Sequence, residues 1–146
     1  MKNEAFESAK KIIKNFCVRR NVAVYFGATI WQLILLIAKE FKKVYIVSED
    51  EKSVEVLWNA LRKENIRNVG IILIEPKLDF EVDLLILSKV SNKVDKKKLL
   101  KLVKGSYILV VDDFDTFTEL LKDLEEIFGK ALAVEQNYCI AIFRAK

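Results

Sequence analysis

Three observations predict an α/β fold, a three-layer sandwich on a mainly parallel sheet of about seven strands ending in an antiparallel hairpin. Short, continuously apolar runs rich in Val and Ile alternate with segments of helical period, as in sheets buried on both faces. Val22 to Asp50 reads as strand, glycine turn, helix and strand, a βαβ unit whose turn would aim helix N–H groups above the sheet. The last segment holds two strand-like runs, ALAVEQ and CIAIFR, parted only by Asn137-Tyr138, so they must pair antiparallel.

Each element follows in order. Asn3 to Arg19 carries Ala5, Phe6, Ala9, Ile12, Ile13, Phe16 and Cys17 on one stripe, an amphipathic helix within a covering segment over 1–20. Val22 to Phe26 is a buried strand broken by Gly27, and Thr29 to Phe41 is a helix apolar nearly all round. Val44 to Val47 is the second strand. Ser48-x-x-Glu51 has capping-box spacing before a helix over Glu51 to Glu64 that turns Val54, Leu57, Trp58 and Leu61 to one side.

Val69 to Ile74 is a third strand, closed by Glu75 and Pro76, and Asp83 to Leu87 a fourth. Asp95 to Val103 reads as helix, Gly105 supplies a positive-φ turn, and Tyr107 to Val111 is the fifth strand. Thr116-x-x-Glu119 is a second capping box, opening a helix from Phe117 to Phe128 that stops at Gly129. No repeat, linker or low-complexity tract divides the chain, so 1–146 reads as a single domain.

Composition narrows the chemistry. Hydrophobic residues make up 52% and charged residues 32%, an apolar interior under a charged exterior. Two glutamines beside abundant Lys, Glu, Ile and Val match the balance of hyperthermophile proteins. The net charge of +4 permits an acidic partner without demanding one. With no histidine in the chain, Ser-His-Asp and Cys-His sites are excluded, and a metal site is not expected because zinc would need two distant cysteines with carboxylates. Cys17 and Cys139 have no C-x-x-C spacing and read as buried free thiols. The charged MKNEAFESAKK start has no signal-peptide character, and the apolar run Ala28 to Ala38 is too short to span a bilayer, so a soluble cytoplasmic protein is expected.

Five β-α units ended by a hairpin without a final helix resemble the class I S-adenosylmethionine-dependent methyltransferases over essentially the whole chain. In that family a segment of form hydrophobic-hydrophobic-acid-hydrophobic-G-x-G-x-G binds the methionyl and adenosyl parts of the cofactor, and Ala23 to Trp31 occupies it without a gap. Gly27 matches its first glycine. The family's acid falls on Tyr25, its second glycine on Thr29 and its third on Trp31.

Glycines there let the backbone approach the ligand, and an indole fills space that the family leaves open. Tyr25, Thr29 and Trp31 can equally be read as packing the helix onto the sheet. The resemblance implies a ribose-holding acid at the end of the second strand, where Ser48 is followed by Glu49 and Asp50, and an adenine-contacting acid at Glu75. Glu49 and Asp50 also serve as plain N-terminal helix acids. Asp83 of Val82-Asp83-Leu84-Leu85-Ile86 resembles the family's F-D-hydrophobic motif, and Lys104-Gly105-Ser106 its K-P-G-G turn, both architectural.

No catalytic residue is assigned. The (Asn/Asp)-P-P-aromatic loop of amino-group methylation is replaced by Ser88-Lys89-Val90-Ser91, which excludes that subclass. Asp112, Asp113 and Asp115 after the fifth strand form a small acidic cluster near the crevice, of oxygens that hard cations take and that metal-dependent O-methyltransferases carry thereabouts, or else one helix cap with solvated neighbours. ILVVDD resembles a Walker B strand without the G-x-x-x-x-G-K-[ST] it would need. One basic set comprises Lys10, Lys11, Lys14, Arg19 and Arg20, and a second runs from Lys93 to Lys104. Nothing in the sequence joins them into a nucleic-acid surface.

The resulting expectation is a methyltransferase-like domain with an eroded S-adenosylmethionine site, set out at Gly27, Thr29, Glu49, Asp50 and Glu75, non-catalytic or atypical in its binding. The alternatives are an active small methyltransferase, and an interaction subunit that docks a protein partner or a second copy through its crevice or sheet edge.

Overall fold

The computed structural model describes residues 3–27, 30–47, 51–72, 81–88 and 105–145. The elements are α1 (Asn3–Phe16), β1 (Val22–Gly27), α2 (Trp31–Glu40), β2 (Lys43–Val47), α3 (Glu51–Lys63), β3 (Val69–Ile72), β4 (Leu84–Ser88), β5 (Tyr107–Val111), α4 (Phe114–Phe128), β6 (Ala133–Glu135), a 3-10 turn (Gln136–Tyr138) and β7 (Ile140–Arg144). The expected helix over Asp95 to Val103, the end of the third strand and Ser48 of the first capping box lie outside the described residues.

The strands form one seven-stranded sheet in the order β3-β2-β1-β4-β5-β7-β6. The pairs β3-β2, β2-β1, β1-β4 and β4-β5 are parallel; β7 runs antiparallel to β5 and to β6. The chain builds outward from β1 to β3 and then returns to the other side of β1. That reversal puts a crevice beyond the carboxyl ends of β1 and β4.

Alternation along the strands separates two cores. Ala23, Tyr25, Ile86, Leu109 and Ile142 join α1, α2 and α3 on one face, while Val24, Phe26, Leu85, Val110 and Phe143 meet Phe117 and Leu124 of α4 on the other. Ile13, Leu33, Ile34, Ile37, Leu57 and Leu61 are fully or almost fully buried, each contributing roughly 1.5–3 kcal/mol of transfer free energy.

Three polar devices fix the ends of these elements. Asp83 Oδ2 accepts the N–H groups of Asn21 at 2.9 Å and Val22 at 3.0 Å, tying the start of β1 to the start of β4. Asn68 Nδ2 donates to the carbonyls of Ala38 and Phe41, both at 2.8 Å, which satisfies acceptors orphaned at the end of α2. Ser106 Oγ donates to the Val82 carbonyl, beside Gly105 at φ 84°.

The sequence places the start of the final helix too late. α4 begins at Phe114, with Asp113 as N-cap residue, so Thr116 lies inside the first turn. The physical reason is Asp112. Its Oδ1 accepts the Asp113 N–H at 2.7 Å and the Thr116 hydroxyl at 2.5 Å, which turns the chain into the helix three residues early. The other end is as expected, with the Gly129 N–H bonded to the Glu125 carbonyl at φ 86°.

Candidate cofactor crevice

Of the five residues assigned to the cofactor from the sequence, Gly27 lies within the described residues; Thr29, Glu49, Asp50 and Glu75 lie outside them. Gly27 ends β1 with φ 120° and pairs with Ser88 at the end of β4. A Cβ built there would stand 1.7 Å from the Ser88 carbonyl oxygen. The approach of two strands therefore accounts for the glycine by itself, apart from any ligand.

Tyr25, at the position of the family's acid, is completely buried in the core between the sheet and α1 and α2. Its hydroxyl lies near Ser88 and the Ile30 backbone, and the buried Ser88 Oγ makes no hydrogen bond among the described residues. Burial raises the phenol's pKa above its ordinary value, the contacts with Ser88 and Ile30 offset part of that, and the charge of Asp112 adds to the rise. The residue is thus a neutral donor and acceptor where the family carries a negative charge.

Trp31 behaves differently from Tyr25. It opens α2 with 41% of its surface exposed, so of the two bulky residues Tyr25 packs the helix onto the sheet and Trp31 stands at its rim. Ile30, the N-cap residue of α2, makes no side-chain capping bond.

On the β5 side, the Asp112 N–H donates to the Cys139 carbonyl at 3.2 Å, which couples the crevice to the hairpin. Asp112 Oδ2 is buried and has no hydrogen-bond partner among the described residues. Asp113 and Asp115 are exposed, and among the described residues no group of three or more Cys, Asp or Glu is placed to hold a metal ion. Cys17 and Cys139 are buried free thiols, and burial pushes Cys17 up to about 11, with Asp83 adding and Arg20 opposing.

The sequence sets Asp112 near the crevice, within its acidic cluster, but does not show Ser88 as a group of it. Ser88 stands in the sequence where the family's amino-methylating loop would begin, and nothing local shows that it lies against Gly27.

No family profile matches the chain, and no curated protein matches it. Solved structures do. An rRNA methylase from Streptococcus thermophilus aligns with a TM-score of 0.69 at 15% identity, over 100% of this chain and 99% of its own. SMU.1697c from Streptococcus mutans, solved in complex with SAH, aligns at 0.65 and 16% identity over 99% and 98%. The YcgJ protein from Bacillus subtilis aligns at 0.63 and 17% identity over 85% of this chain, which spans 59% of that one.

Among the described residues no helix is long and apolar enough to cross a membrane. With its strand order, its closing antiparallel β7 and these structural likenesses, the chain has the Rossmann-like fold of the class I S-adenosylmethionine-dependent methyltransferases.

Proposed function

We propose that this chain is a single methyltransferase-fold domain of the cytoplasm whose cofactor crevice has been rebuilt, so that it does not hold S-adenosylmethionine in the family's ordinary way. The observation that carries this reading is Tyr25, a buried neutral phenol at the acid position. Gly27 supports it, because its lack of a side chain serves the contact with Ser88. At Tyr25 the crevice presents no carboxylate, which supports the reading. Isothermal calorimetry with S-adenosylmethionine tests the reading: no saturable heat is expected at submillimolar ligand, and a submillimolar dissociation constant would overturn it.

An active methyltransferase is the second reading. The exposed rim position of Trp31 favours it, because an indole outside the core can swing or stack without breaking the fold. It requires methyl transfer from isotopically labelled cofactor to a small-molecule or RNA acceptor.

A further inference from the structure

The sheet end opposite the crevice collects cations from three separate stretches of sequence. The Lys42 N–H donates to the Arg20 carbonyl at 3.1 Å, the Lys43 N–H to Asn21 at 2.9 Å, and the Val44 N–H to Asn68 at 2.9 Å. These bonds carry the parallel register one step beyond the strands. They place Arg19 and Arg20, Lys42 and Lys43, and Arg67 at the leading ends of β1, β2 and β3, strands spaced about 4.8 Å apart.

Among the described residues, the carboxylates at this end are Glu40, Glu64, Glu81 and Asp83. Asp83 is occupied by the N–H groups of β1, and Glu40 is shared between Lys14 at 3.8 Å and Arg20 at 3.6 Å. Arg19 meets Glu81 at 3.8 Å across two exposed side chains; such a pair is worth at most about 1 kcal/mol and is readily exchanged for a phosphate. The last turns of α1, α2 and α3 add Lys14, Lys39, Arg62 and Lys63. Those four also complement helix dipoles. Of the strand-leading cations, Arg20 keeps Glu40 and Lys43 lies 5.4 Å from the centroid of the Tyr45 ring, which leaves Arg19, Lys42 and Arg67, each ahead of a different strand, as the exposed set.

We infer that this rim binds the phosphate backbone of single-stranded RNA. The register sets the leading ends of β3, β2 and β1 side by side, an order that suits a line of charges, and arginine forks suit phosphate oxygens. Val18, 90% exposed beside Arg19, offers an apolar surface next to the row. An anionic bilayer would call for an amphipathic helix with its apolar stripe outward, whereas the apolar stripes of α1, α2 and α3 enter the core. The inference does not depend on whether the crevice holds a cofactor.

Fluorescence anisotropy of the full chain with a labelled oligouridine of about 20 nucleotides tests it. Three or four phosphate contacts give a log–log salt slope of about −2 to −3, at roughly 0.7 per contact for single strands. The variant R20Q/K42Q/R67Q is expected to lose at least about tenfold in affinity and to flatten that slope by about 2. K52Q/K122Q, on exposed cations away from this rim, is expected to stay within about twofold.

Because Arg20 also pairs with Glu40, K42Q/R67Q serves as a second variant and should lose affinity without a change in melting temperature. Absence of RNA binding at about 50 mM salt, equal losses in the rim and control variants, or pelleting with phosphatidylserine vesicles in place of RNA binding would each overturn the inference.

Discussion

Gly27 at the end of β1 and Ser88 at the end of β4 are paired so closely that a Cβ on the glycine would lie 1.7 Å from the serine carbonyl oxygen. Replacing Gly27 by Ala must part the two central strands and also force an L side chain to φ 120°. Equilibrium unfolding in urea should show a loss of about 3 kcal/mol or more. Gly105→Ala is the comparison. It has φ 84° with nothing within 4 Å of the added carbon, so it should cost only about 1–2 kcal/mol.

Asn68→Ala should destabilise the fold by about 1–3 kcal/mol, since two carbonyls at the end of α2 lose their donor. Hydrogen exchange gives a local readout: the last turn of α2 should lose protection first, with α4 unaffected.

Asp83→Ala removes a charged acceptor from two N–H groups and should cost about 1.5–3 kcal/mol in chemical denaturation. Asp83→Asn keeps one side-chain oxygen and should retain part of that stability.

Stability should decline at alkaline pH through Cys17. Its folded pKa is raised to about 11 from an ordinary 9.0 by burial, so the folded state holds the thiol proton more tightly than the unfolded chain does. That contribution is fully present below pH 9 and is lost as pH rises through about 11. Tyr25, whose pKa is also raised, adds loss above pH 10. Unfolding free energies measured across this range should fall for the natural chain and fall less for Cys17→Ala, even though that variant starts from lower stability.

The fold was legible because its signals are local. Val22 to Phe26, Tyr107 to Val111 and Ile140 to Arg144 are apolar β-rich runs, and Gly105 and Gly129 mark turns that need positive φ. The start of α4 was not legible, because Asp112 outcompeted the Thr116 capping pattern through bonds that any nearby Asp could make. Asn68 and Ser88 act on residues distant in sequence. The basic rim shares that cause: Arg20, Lys42 and Arg67 become neighbours only through the register of three strands.

In the crevice, the motif locates Gly27, while its close approach to the Ser88 carbonyl depends on the pairing of β1 with β4 and is not legible in the sequence. Tyr25 and Trp31 looked alike as bulky replacements. The pleat sends Tyr25 into the core, and the first turn of α2 leaves Trp31 at the surface.

Titration calorimetry of the full chain with S-adenosylmethionine and its demethylated product bears most directly on the rebuilt crevice. The account predicts no saturable binding by either ligand below about 1 mM, an interaction weaker than roughly 4 kcal/mol. A micromolar dissociation constant, abolished by substitution at Trp31 or Asp112 in a variant that still melts cooperatively, would contradict it.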